Sequence, residues 1–322
     1  MSALTGGSGS SGTSGVGGLT VMPDLFTGLM SHSVPIEVPP GRHGMQPNLA
    51  LQYRSSNGNG WVGVGWELEM GSVERSMKGG VNYGGDAYVL RMGGAAVDLV
   101  QLQSGPYQGE YRAKIESGAF HRLRKLPASD GRTYWEVTTR DGTKYLFGQT
   151  SDARQDNPTD AGQIFKWCLD RMQDTSGNYL IFIYVKDAGQ IYPSRIDYSG
   201  HTTYPPSPPP PSAPSDLLPT ASVTFVTEAT RSDVAAAYAI NFAVTTRYRL
   251  KRIDVVASSQ LVRAYLLQYV PSSSSSRSLL ASLQQFGADA VLGSDGSISS
   301  GSSLPRLQFT ANNGTNELAE SW

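Results

Sequence analysis

The feature that most narrows what this chain can fold into is a period of two. Val62, Val64, Trp66, Leu68 and Met70 occupy every second position, with Gly63, Gly65, Glu67 and Glu69 between them. Successive side chains of a strand point to opposite faces, so this run predicts a strand with one apolar face and one small or acidic face. Upstream, Leu49, Leu51 and Tyr53 alternate in the same way with Ala50, Gln52 and Arg54. Between the two runs lies Ser55-Ser56-Asn57-Gly58-Asn59-Gly60, where Asn and Gly accept the positive φ of tight turns. Together they predict a hairpin.

The same grammar recurs along the chain. Val34, Ile36 and Val38 share a face opposite Pro35, Glu37 and Pro39, and proline cannot donate to a ladder, so an edge or irregular strand is expected. From Val81 to Leu102, glycine pairs break short apolar runs into short strands. Tyr111 to Leu126 alternates basic with apolar residues, which reads as a strand with one solvated face. Trp135 and Val137, a turn at Asp141-Gly142, then Tyr145 and Phe147 form the clearest hairpin. A second unit runs from Phe165, Trp167 and Leu169 through Asp174–Asn178 to Tyr179, Ile181, Ile183 and Val185. There Leu180, Phe182 and Tyr184 are apolar as well, so this strand is expected to be central and buried on both sides. Residues 201–219 are so rich in proline that an inserted surface loop is expected. Residues 1–20, almost all Gly, Ser and Thr before Leu19, are expected to form a disordered leader. Strands resume at Val223–Val226, Tyr248–Val256, Leu261–Val270 and Leu304–Thr310.

Composition removes several function classes. Charged residues make up 16% with a net charge of −1, so no basic field exists to hold nucleic acid. Cys168 is the only cysteine and sits in a strand-like run, which predicts a buried inert thiol and no disulfide framework. No apolar run approaches the length of a bilayer-spanning helix, and the N-terminus lacks the basic start and apolar middle of a signal peptide.

The order of Pro, Gly and aromatic positions carries a resemblance. Pro35-Ile36 to Pro39-Pro40-Gly41-Arg42, Gly44-Met45-Gln46-Pro47-Asn48-Leu49, Leu51 and Tyr53, the Asn/Gly turn and Gly63-Val64-Gly65-Trp66 resemble one toxin family's N-terminal module. That family contains the Salmonella virulence-plasmid B protein (SpvB) and the B components of insecticidal Tc toxin complexes. The string Trp135-x-Val137 to Asp141-Gly142-Thr143-x-Tyr145-x-Phe147-Gly148 is similar to the strand–turn–strand unit of YD/RHS-type shell proteins. Ser278–Gly287 carries helical spacing at Leu279, Leu283 and Phe286, but the resemblance implies a strand there. It also implies that a β-propeller and RHS repeats, absent from this chain, would follow Trp322, so that residues 21–322 form one module of something larger.

The sharpest enzymatic lead is Glu67-Leu68-Glu69, because ADP-ribosyltransferases use a Glu-x-Glu pair. In that fold an arginine and a Ser-Thr-Ser strand precede the pair and clamp the dinucleotide. Here only Arg42 and Arg54 lie upstream, with no Ser-Thr-Ser strand, so two solubilising carboxylates on an exposed face are expected. His32, His43, His121 and His201 lack the clustering of metal ligands, and His43 is expected to face solvent. Gly63-x-Gly65 lacks the third glycine and following helix of a nucleotide loop. Trp66, Trp135 and Trp167 are expected in the core, whereas Trp61, on the Gly63/Glu67 face, is exposed or packs against a neighbouring module.

These observations predict an all-β module of short antiparallel strands and hairpins forming a large curved sheet or sandwich-like body. No catalytic, cofactor-binding or metal-binding residue is assigned. By resemblance, the role is a non-catalytic piece of a secreted toxin's β-shell, with an RHS-type C component and an A component as partners and no nucleic acid or membrane span. Export without a signal peptide, from the cytoplasm, would follow. The alternative is a β-sandwich adhesin or carbohydrate-binding module.

Overall fold

The computed structural model describes residues 22–23, 30–202 and 216–310. The expected leader and the proline run at 203–215 lie outside them. Two bodies share one long strand. Ser72–Arg75, Tyr88–Met92, Ala95–Gln101, Tyr111–Ala113, Arg122–Pro127, Thr133–Thr138 and Lys144–Phe147 pair in succession, each antiparallel to the next. Both ends of this series then pair with Asp160–Gln173: Ser72–Glu74 lies against Lys166–Cys168, and Lys144–Phe147 against Leu169–Gln173. The eight strands therefore close into a barrel, which removes their free edges.

Beyond Cys168, the edge of the long strand that held Ser72–Arg75 is taken over by Asn178–Asp187. From there an open antiparallel sheet continues through Gln190–His201, Ala221–Glu228, Arg249–Ala257, Gln260–Pro271, Ser278–Phe286 and Leu307–Gln308. A separate sheet, ordered Met22–Pro23, Met30–Ile36, Leu49–Arg54 and Trp66–Leu68, packs against it. Val34, Ile36, Leu49, Leu51, Trp66 and Leu68 meet Phe182, Ile196, Val223, Phe225, Ile253 and Leu267 in one core. Tyr198 donates its hydroxyl to the Pro39 carbonyl at 3.2 Å, and the Glu37 amide donates to the Tyr265 hydroxyl at 3.0 Å, tying the two layers together.

Cross-strand registers put Val73, Arg75, Tyr88, Leu90, Leu99, Tyr111, Leu123, Trp135, Val137, Phe147 and Trp167 on the inner face of the barrel. An eight-stranded barrel is just wide enough to be filled by side chains. Here four rings fill it edge to face: Trp135 lies 4.8 Å from both Tyr88 and Tyr111, and Tyr88 lies 5.8 Å from Trp167. Arg75 is buried among them, with no carboxylate partner among the described residues. Its Nε donates to the Ile164 carbonyl at 2.9 Å and its Nη1 to Gly85 at 2.8 Å, with the guanidinium over Tyr83, Tyr88 and Trp167.

The all-β reading holds, and several expectations change in detail. The Leu49–Tyr53 run pairs as expected, with Leu51 opposite Leu68 and Tyr53 opposite Trp66. The Val62–Met70 run is nevertheless not one strand. Gly63 (φ +91) and Gly65 (φ +79) turn the backbone, leaving Gly63–Val64 and Trp66–Leu68 as separate pieces. Asn178–Asp187 is buried on one face only beyond Ile181: Phe182 and Tyr184 face the core, while Ile183 and Val185 are 40% and 52% exposed. Tyr111 to Leu126 forms two strands separated by a loop, not one. Ser278–Phe286 is a strand. His201 and Leu217, on either side of residues 203–215, exchange backbone hydrogen bonds of 2.9 and 2.8 Å.

Candidate functional site

After Leu68 the chain crosses from the small sheet into the barrel through Glu69, Met70 and Gly71. Gly71 (φ +91) makes the bend, and its carbonyl accepts the Leu169 amide at 3.0 Å. The crossing roofs a cleft of about 400 Å³ between the two bodies, with Glu67, Glu69, Glu74, Arg91, Lys166, Cys168 and Tyr184 on its walls. Lys166 and Cys168 reach it because the inward position of Trp167 forces its neighbours outward.

Each cation in this cleft meets a carboxylate. Glu74 accepts Arg91 Nε at 3.0 Å, Lys166 Nζ at 2.9 Å and the Ser72 hydroxyl at 2.9 Å. Burial opposes ionisation of Glu74, but Lys166, Arg91 and Ser72 outweigh it and hold the carboxyl down to about 2. Glu67 lies 3.6 Å from Arg54, which also donates to the Gly94 carbonyl at 3.3 Å. Glu69 behaves differently: burial, reinforced by Glu67, raises its carboxyl above the ordinary value. Cys168 is buried, and that burial pushes its thiol up to about 12, which makes it a poor nucleophile.

The Glu67/Glu69 pair is therefore not the freely solvated face expected of it, since both residues are half-buried on the wall of a cleft. The cluster of Glu74, Arg91 and Lys166 was not foreseen. It is assembled by the register that sets Lys166 opposite Glu74 and Ser72 opposite Arg91, across 92 residues of sequence, and no local signal announces it. Arg42 is remote from it, its amide bonded to the Ser199 hydroxyl at 3.3 Å. With Arg54 on Glu67 and both Arg91 and Lys166 on Glu74, each cation here already has a carboxylate, and clamping a pyrophosphate would require breaking those pairs.

The histidines lie apart. His43 is exposed at φ +51, and His201 Nδ1 lies 3.2 Å from Asn178 Oδ1. Among the described residues no three His, Cys, Asp or Glu side chains are grouped as metal ligands. Trp61 is half-buried on the wall of the cleft and not fully exposed. It packs edge-on to Tyr192 and Phe225 at 6.3 Å, and its carbonyl accepts the Leu250 amide at 2.8 Å.

Comparison with known proteins agrees with this architecture. The mono(ADP-ribosyl)transferase SpvB of Salmonella enteritidis is 26% identical over 194 residues, which cover 54% of this chain and 32% of that protein. The same protein from Salmonella typhimurium strain 14028s gives the same identity and coverage. The chain thus spans about a third of the length of these relatives. The N-terminal domain of effector protein SpvB from Salmonella typhimurium strain LT2 superposes with a TM-score of 0.67 at 19% identity, over 79% of this chain and 98% of that domain. The TcdB2–TccC3 complex superposes with a TM-score of 0.73 at 21% identity, over 96% of this chain and 17% of that one. The Photorhabdus luminescens Tc holotoxin pore gives a TM-score of 0.70 at 20% identity, again over 96% and 17%. The family model described as Salmonella virulence plasmid 65kDa B protein matches residues 25–203, more than half of the sequence, and the chain belongs to that family.

Proposed function

We propose that this chain is a non-catalytic structural module of a secreted toxin complex's B component, part of a β-wall that encloses or helps deliver a toxic polypeptide. The observation that carries the reading is the unbroken hydrogen-bonded path from Lys144–Phe147 around the barrel, along Asp160–Gln173 and out to Leu307–Gln308. A wall needs strands joined edge to edge without gaps, one face sealed and the other wettable. The open sheet meets this need: Phe182, Ile196, Val223 and Ile253 are sealed beneath the small sheet, while Arg195, Asp197, Thr224 and Val226 lie on the opposite face.

Residues 21–322 act in this reading as one module, with an RHS-type C component and an A component as partners. Export without a cleaved signal peptide, from the cytoplasm, belongs to the same proposal. Among the described residues no helix is long and apolar enough to cross a membrane, which says nothing of a β-barrel span. In this reading the transferase activity in the relatives' name belongs to another part of those proteins, and the paired cations of the cleft support that assignment. The test is co-expression with an RHS-type C component and size-exclusion chromatography. Co-elution in a large particle is expected, and persistent separation of the two chains refutes the wall.

A further inference from the structure

A second cavity, of about 320 Å³, opens between the small sheet and the far end of the open sheet, where Trp66 and Tyr53 face Leu280 and Phe309. Trp66 lies 5.4 Å from Tyr53 and 4.7 Å from Phe309, so three aromatic rings form a continuous surface. Among the described residues no Asp, Glu, Lys or Arg lines it. Its polar side chains are Gln308, Thr310 and His32, and His32, edge-on to Trp66 at 6.3 Å, has a buried Nε2 with no hydrogen-bond partner among the described residues. A buried nitrogen left without a partner is costly, and a largely apolar cavity with a few polar groups is the usual form of a ligand pocket. Burial also lowers the His32 pKa, which keeps the ring neutral near pH 7, with Nε2 either a donor or an acceptor according to tautomer.

A phenol hydroxyl both donates and accepts, so it satisfies either tautomer, while its ring matches the aromatic wall. We infer that this cavity is a binding site for a single-ring phenol whose hydroxyl pairs with His32 Nε2 and whose ring lies among Tyr53, Trp66 and Phe309. The same chemistry is offered by a free phenol and by a tyrosine side chain.

The experiment titrates the whole chain with 4-methylphenol, toluene and N-acetyl-tyrosinamide, followed by saturation-transfer NMR. Saturable 4-methylphenol binding with a Kd on the order of 1 mM or tighter is expected. Toluene, lacking the hydroxyl, is expected to bind about tenfold more weakly. His32→Phe brings 4-methylphenol to the level of toluene, and Leu279→Trp, which fills the cavity, abolishes binding with the far-UV spectrum unchanged. Tyrosinamide binding as well as 4-methylphenol assigns the ligand to a polypeptide side chain, and weaker binding assigns it to a free phenol. Absence of saturation at about 10 mM, equal affinity for toluene, or unchanged binding in either folded variant overturns the site.

Discussion

Gly65→Ala isolates a close approach that the alternating pattern conceals. At φ +79 the backbone is in the left-handed region, where an L side chain costs ~1–2 kcal/mol. In addition, a Cβ at this position falls 2.3 Å from Tyr53 Cε2, and the Tyr53 ring is held against Trp66. Displacing a packed ring adds ~1–3 kcal/mol, for a total of roughly 2–5 kcal/mol. Gly131 supplies the control: its φ is +76, and nothing lies within 4 Å of the position a Cβ would take, so Gly131→Ala carries the backbone cost alone. Urea unfolding of both variants, followed by far-UV circular dichroism, should show Gly65→Ala destabilising by at least ~1 kcal/mol more than Gly131→Ala. In a Tyr53→Ala background that excess should vanish, because the clashing ring is gone. Equal losses in the two single variants, or an excess that survives removal of Tyr53, would refute the reasoning.

The barrel offers a matched pair of tryptophans. Trp167 Nε1 donates to the Thr133 carbonyl at 2.7 Å, whereas Trp135 Nε1 is buried without a partner, so Trp167→Phe should cost ~1 kcal/mol more than Trp135→Phe in the same denaturation assay. Glu74 is depressed from 4.5 to about 2, which makes its contribution, roughly 3 kcal/mol, present above pH 4.5 and lost as pH falls through 2. Glu74→Gln should therefore lose most stability at neutral pH and flatten the acid limb of a stability–pH curve. Glu69 is raised, so the folded state favours its protonated form and its penalty grows as pH rises through the raised value. Glu69→Gln should accordingly be more stable than the parent at pH 7, and a loss of stability there contradicts this assignment. Incubation with labelled NAD should transfer no label to protein, and transfer abolished by Glu69→Gln would show that the Glu67/Glu69 pair is catalytic.

The fold class was legible because period-two alternation and turn residues act locally. The Thr133–Thr138 and Lys144–Phe147 hairpin is joined as Trp135, Asp141-Gly142 and Phe147 indicate, with Asp141 accepting from the Thr139 and Thr143 hydroxyls. Alternation cannot say which face of an all-apolar strand is covered, so the exposure of Ile183 and Val185 had to come from the packing of neighbouring strands. Nor does it register a backbone turn, which is why Gly63 and Gly65 read as the small face of a strand although both are bends. Closure of the barrel and the Glu74–Lys166–Arg91 cluster depend on register between strands far apart in sequence. A period of two leaves that register undetermined until both partners are in place.

The strand Asp160–Gln173 contributes hydrogen bonds to the ring through one stretch of its edge and to the open sheet through the next. Rotating one body against the other would tear this common rail, so the linkage is stiff where a loop would have been slack. Strain applied at Leu307–Gln308 or at the mouth of the barrel has a direct covalent and hydrogen-bonded route to the opposite end. The two halves should melt together, as a girder fails rather than as beads on a string.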